Sequence, residues 1–145
     1  LALFLLLLFD FRHLGYTLFA MVPLGMAVAW GWGAISFFDV PYNTGNIAAL
    51  PLVLGIAVDS GVHILHRFRQ EKGRDVAAVV RHTGRAVLLS GMTTIAGFAA
   101  LLLATHQAMQ TFGLFLVLGI SFGLLSAVTF LPALLELVRR RFHVT

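Results

Sequence analysis

Polar positions are rare along this chain, and they come in short groups that divide it into five apolar runs: residues 1–9, 17–38, 47–65, 86–104 and 111–138. At 1.5 Å per residue, the last four are each long enough to cross about 30 Å of hydrocarbon as a helix. The first is too short and reads as the end of a truncated span. The polar groups between them are residues 10–13, 39–46, 66–85 and 105–107, of which only the third is substantial. This pattern predicts an all-α integral membrane protein, a bundle of about five transmembrane helices forming a single domain over residues 1–145.

Composition supports that class. The chain is 59% hydrophobic and 11% charged, with mean hydropathy +0.94, whereas soluble domains carry about 25% charged residues. There is no cysteine, which excludes a disulfide framework and thiolate metal sites. The first residues contain no Met, charged leader or cleavage site, so they are not read as a signal peptide. They are expected to continue a longer protein. A pI near 10.7 could suggest nucleic acid, but the basic residues are placed otherwise. Arg12 lies in the first loop, Arg67, Arg69, Lys72, Arg74, Arg81 and Arg85 in or beside the third, and Arg139, Arg140 and Arg141 in the tail. Alternating spans put all ten on one side. The positive-inside rule makes that side cytoplasmic, C terminus included, and places the loops 39–46 and 105–107 outside.

Local signals add detail. Asp75 can cap a short amphipathic helix over residues 75–83, expected to lie on the cytoplasmic surface until Gly84 breaks or bends the path. Small residues repeat every four at Gly25, Ala29 and Gly33, and again at Gly119 and Gly123 with Ser126. Such stripes let helices approach closely in lipid, and Gly55 and Gly97 are read in the same way. Pro51 and Pro132 are expected to kink or end their helices. Trp30 and Trp32 suit an aromatic belt.

The residue with chemistry is Asp59, inside the run 47–65. A carboxylate at membrane depth costs about 2.5–3.5 kcal/mol on insertion scales, so a chain that keeps one there is expected to use it. Asp59 is eight residues before Arg67, about 12 Å from the boundary; on the antiparallel next span Thr93 and Thr94 lie about 12–14 Å from Arg85. The three groups therefore share one level. Ser90, Thr93, Thr94 and Gly97 fall on one helix face, and Gly55, Asp59, His63 and His66 on another. If the faces meet, the hydroxyls can hold the carboxyl group, and Asp59 can take up and release a proton as water access changes sides. His63 could relay it. The bland alternatives are back-bonding of the threonines to their own helix, a satisfied interface role for His63, and a solvated flank for His66.

The wording Gly55-x-x-x-Asp59 continuing as VDSGVHILHRFRQE, then GRAVLLSGMTTIAGFAAL, FGLFLVLGISFGLL and LPALLEL, resembles the RND (resistance–nodulation–division) permease superfamily. It is most similar to the MMPL-like branch and, within that, the hopanoid-exporter subgroup. The resemblance implies twelve helices in two halves, each with a large periplasmic domain, of which this chain would supply the last five helices of one half, a sterol-sensing-like unit. It implies that Asp59 matches the family's GxxxD acid and that Thr93 and Thr94 match the Thr-Thr pair of its proton relay. In drug-efflux members an Asp-Asp pair works with a lysine. Here Ser60 follows Asp59 and no span holds a lysine, so that relay does not transfer whole.

The function expected is proton-motive-force-driven export of lipid or other hydrophobic compounds, hopanoids among them, from the inner membrane. The alternative is a sterol-sensing-type regulatory module without transport. A metalloenzyme using Asp59, His63 and His66 is the weakest reading, because His66 is nearly outside the membrane. No enzyme activity, cofactor, metal or nucleic acid is expected. Expected partners are membrane lipid, a lipid-like substrate, protons, the remaining half and periplasmic domains of the same protein, and further copies in a homo-oligomer.

Overall fold

A computed structural model of the chain describes residues 2–37, 44–71 and 76–142. Among them the order is α1 (Ala2–Phe11), α2 (Leu14–Phe37), α3 (Thr44–Gln70), α4 (Val76–Val79), a π-helical turn (Val80–Gly84), α5 (Arg85–Ala99), a 3-10 turn (Ala100–Leu103), α6 (Gln107–Val128) and α7 (Phe130–Phe142), with no strand among the described residues. Four stretches are long and apolar enough to span a bilayer: Leu14–Phe37, Ile47–Gln70, Val80–Leu103 and Gln107–Val138. The chain is therefore an all-α, multi-pass membrane bundle.

α2, α3 and α6 pack mutually and make the centre. α2 contributes the stripe Ala20, Leu24, Ala27, Gly31 and Ile35, all buried. α3 contributes Ala49, Val53 and Ala57, and α6 contributes Phe115, Leu116 and Ile120. Lipid gives helices no hydrophobic reason to associate, so close contact must come from dispersion between well-fitted backbones. Gly119 and Gly123 supply that fit. A Cβ at Gly119 would come within 2.7 Å of Val53 Cγ1, and one at Gly123 within 3.0 Å of Ala57 Cβ and 3.2 Å of Ala27 Cβ. The stripe Gly25, Ala29 and Gly33 does not do this work. All three residues are exposed, and the packing face of α2 is the neighbouring one through Ala27 and Gly31, which complements α6.

α1 ends at a tight turn in which Arg12 takes a left-handed φ of 49°, closed by its N–H bonding the Leu8 carbonyl at 2.9 Å. That conformation disfavours a residue with a Cβ and belongs to helix C-termini. Thr17, fully buried against α1, donates to the His13 carbonyl at 3.1 Å.

Other local expectations change. Gly84 does not break the chain: it is helical (φ −59°, ψ −40°), and α4, the π-turn and α5 run on without interruption. The short helix is an extension of α5. Val76 and Val79 pack in one cluster with Leu65, Phe68, Leu131 and Leu135. The Asp75 cap lies outside the described residues, as do Lys72, Arg74 and most of the loop 39–46. Pro51 neither ends nor interrupts α3. Pro132 has the expected effect: its missing N–H leaves the Val128 carbonyl without its helical donor, and α6 gives way to α7 at Thr129. Trp30 packs edge-on against Phe122 (5.5 Å) and Phe130 (6.1 Å), and Trp32 against Phe115 (5.5 Å).

Candidate functional site

Asp59 sits in the middle of α3, within a stretch long and apolar enough to cross a membrane. The groove beside it exists because α5 leans on α6 and barely meets α3. Two glycines permit that lean. A Cβ at Gly91 would meet Leu124 Cδ2 at 2.6 Å, and one at Gly113 would meet Leu101 Cβ at 2.7 Å. α3 and α5 are thus held apart on one side, and a cavity of about 360 Å³ opens between them.

Ile56, Asp59, Ser60 and His63 line it from α3, Thr83 from the π-turn, and Ala86, Val87, Ser90, Gly91 and Thr94 from α5. Asp59, His63, Ser90 and Thr94 are therefore brought to one cavity. Thr93 is exposed beside it and is not part of the wall.

The bonding differs from the simple expectation. Thr93 and Thr94 both donate to the Ser90 carbonyl, at 2.8 and 2.9 Å, rather than to Asp59. A hydroxyl has one proton to give. With it spent on the backbone, each threonine can only accept a hydrogen bond at this site. That suits a neutral carboxylic acid or a water as donor, but not a carboxylate. Ser60 likewise donates to the Ile56 carbonyl at 3.2 Å. The carboxylate's partner among the described residues is His63, with Nε2 3.5 Å from Asp59 Oδ1.

Nor is Asp59 enclosed by these helices. Its side chain is 73% exposed and that of His63 64%. Gly55 and Gly97 lie on the same open face, with nothing within 4 Å of a Cβ at either. They make no close helix contact within this bundle, because the face they occupy is the one α3 and α5 turn away from α6. Of the apolar window of Val80–Leu103, only 6% is buried within the bundle, against 50% for Gln107–Val138.

His66 leaves the group altogether. Its Nε2 is 2.7 Å from Asp10 Oδ2, and its ring lies 4.9 Å from that of Phe11. Arg69 completes this second cluster over the rings of Phe11 (5.9 Å) and Tyr16 (5.6 Å). The cluster ties α1 to α3 and shows that the first and third loops share one end of the bundle, as the charge pattern required. Asp59, His63 and His66 do not converge, and no metal-binding group of three occurs among the described residues. The Asp10–His66 pair is some 40% exposed on both sides, a setting in which ion pairs contribute at most about 1 kcal/mol. Asp10→Asn should accordingly lower thermal stability in detergent only slightly. A large loss would show that the α1–α3 tie carries more than an exposed pair can.

The α1–α3 cluster was not legible in the sequence, since its members stand 56 residues apart with no periodicity linking them. Thr83 was also missed; its position in a polar stretch gave no signal.

Comparison with known proteins fits this architecture. A putative membrane protein of Methanocaldococcus jannaschii is 32% identical over 142 residues, covering 94% of this chain. The hopanoid transporter HpnN of Rhodopseudomonas palustris is 29% identical over 135 residues (93% of the chain). The probable trehalose monomycolate exporter MmpL3 of Mycobacterium leprae is 31% identical over 153 residues (97%). The chain spans 37% of the archaeal relative's length and 15% and 16% of the other two. No solved structure matches it. The MMPL family model matches residues 2–144, and the chain belongs to the MMPL family, in keeping with the RND-type motifs around Asp59 and Thr94.

Proposed function

We propose that this chain is the membrane part of a proton-driven transporter that exports lipid or another hydrophobic compound from the cytoplasmic membrane. Asp59 serves as the coupling acid, with His63, Ser90 and Thr94 as its polar surroundings in the cavity and Thr93 exposed outside its wall. The basic end of the bundle and the C terminus face the cytoplasm. The observation that carries the reading is the polar cavity itself: a carboxylate, an imidazole and four hydroxyl residues (Ser60, Thr83, Ser90 and Thr94) lining one space between otherwise apolar spans. Two relatives are named for moving lipids, a hopanoid transporter and a trehalose monomycolate exporter, which supports the substrate class.

The open face fits a division of labour with the rest of the protein. A carboxylate left against lipid would be costly, so the remaining half, or a second copy, is the natural cover for the α3–α5 face. The selecting surfaces for the substrate belong with the domains outside this chain. Coupling to protons is tested by reconstituting the full-length protein in liposomes of native lipid extract and following lipid transfer to an acceptor under an imposed pH gradient. Transfer should stop when a protonophore collapses the gradient. Transfer at an undiminished rate would exclude a proton-driven pump.

A further inference from the structure

The π-turn is the feature of the cavity wall that neither the motif nor the proposed relay uses. π-turns arise where one extra residue is accommodated in a helix, and they concentrate at functional places. Here the turn changes which residue is buried. Val76 and Val79 are buried in α4, and the next buried residues are Gly84, Val87 and Gly91. The step from Val79 to Gly84 is five residues, one π-turn. An unbroken α-helix would bury Thr83 instead. The extra residue hands the buried place to Gly84 and leaves Thr83 on the wall of the cavity with Asp59 and His63.

The state of the Thr83 hydroxyl gives this a chemical meaning. Thr93 and Thr94 spend their protons on a backbone carbonyl. The Thr83 hydroxyl makes no hydrogen bond among the described residues, although the hydroxyl of an α-helical threonine can bond the carbonyl four residues back, as that of Thr94 does. A hydroxyl with both donor and acceptor capacity therefore lines a cavity roomy enough for several waters, each of which takes about 30 Å³ in the liquid. It stands toward the end of the bundle where Arg67, Arg69, Arg81 and Arg85 lie, one helical turn or more beyond His63.

We propose that Thr83 is a positioning residue that orders water between the Asp59–His63 pair and the basic end of the bundle, and that the π-turn exists to present it. This rests on the reading of Asp59 as the coupling acid. The proton leaves the Asp59 carboxyl for water in the cavity, passes along the water that Thr83 orders and departs into the aqueous phase at the basic end, each O–H bond formed replacing one broken. The titratable groups of the cavity wall are Asp59 and His63, and exposed Arg81, His82 and Arg85 flank Thr83.

Thr83→Val in the full-length protein keeps the branched shape and removes the hydroxyl, whereas Thr83→Ser keeps the hydroxyl. Measured as gradient-driven lipid transfer across a range of pH, Thr83→Val should be slower by about tenfold, the scale of one lost hydrogen bond. Its pH profile should also be displaced, and Thr83→Ser should restore both rate and profile. Asp59→Asn is measured beside them. If Asp59→Asn abolishes transfer while Thr83→Val matches wild type in rate and profile, Thr83 has no such role and the coupling reading survives. Equal slowing in both Thr83 variants with an unmoved profile would make the residue merely structural and overturn the proposal. An active Asp59→Asn variant would instead overturn the coupling reading on which it rests.

Discussion

Asp59→Asn in the full-length protein should leave insertion and abundance unchanged and remove gradient-driven export. The substitution is nearly isosteric, and the 73% exposure of the side chain means that no packing within this bundle is lost. What is lost is the capacity to exchange a proton. A proton crossing about 100 mV delivers about 2.3 kcal/mol. At about 1.36 kcal/mol per decade, that corresponds to roughly a 50-fold concentration ratio the wild type can sustain and the variant cannot, before any pH gradient is added. Immunoblotting of membranes together with export assays separates the two effects. A variant that is absent from the membrane would assign Asp59 a structural role instead.

The second large effect concerns packing. Gly119→Ala should destabilise the bundle, because its new methyl would lie 2.7 Å from Val53 Cγ1 and 2.9 Å from Cγ2. Val53 is fully buried and β-branched, so it has little rotamer freedom with which to yield. The helices α3 and α6 must part instead. Overpacking of this kind costs about 1–3 kcal/mol. Val53→Ala removes both offending methyl groups, so the double variant should recover much of the loss that Gly119→Ala causes alone. Thermal unfolding in detergent of the two single variants and the double variant reads the coupling directly. Additive losses would mean that the two residues do not meet as the structure places them.

The spans could be read from sequence because the bilayer enforces them: hydrocarbon thickness sets the length, and backbone polar groups must be satisfied within each helix. Counting 1.5 Å per residue from each boundary arginine brought Asp59 and Thr94 to neighbouring positions, and the cavity is lined by both. What escaped was pairing. Two small-residue stripes were available on α2, Gly25–Ala29–Gly33 and Ala27–Gly31, and only the shape of α6 selects the second. The partner of His66 is 56 residues away. The π-turn has no compositional signature, since it differs from an α-helix in hydrogen-bond reach rather than residue type. The side-chain protons of Thr93 and Thr94 were committed locally, a competition between backbone and carboxylate that spacing alone does not decide. The openness of the groove had no local signature either, because it depends on how far α5 leans on α6 through Gly91 and Gly113.

The central claim is that one membrane-embedded carboxyl group exchanges protons with the two sides in turn. It is tested most directly by proton movement in liposomes of native lipid extract that hold the full-length protein and a trapped pH-sensitive dye, with an imposed gradient and a lipid acceptor outside. Wild-type protein should dissipate the gradient in step with lipid transfer, and Asp59→Asn should do neither. Protons moving at the wild-type rate through Asp59→Asn would contradict the account.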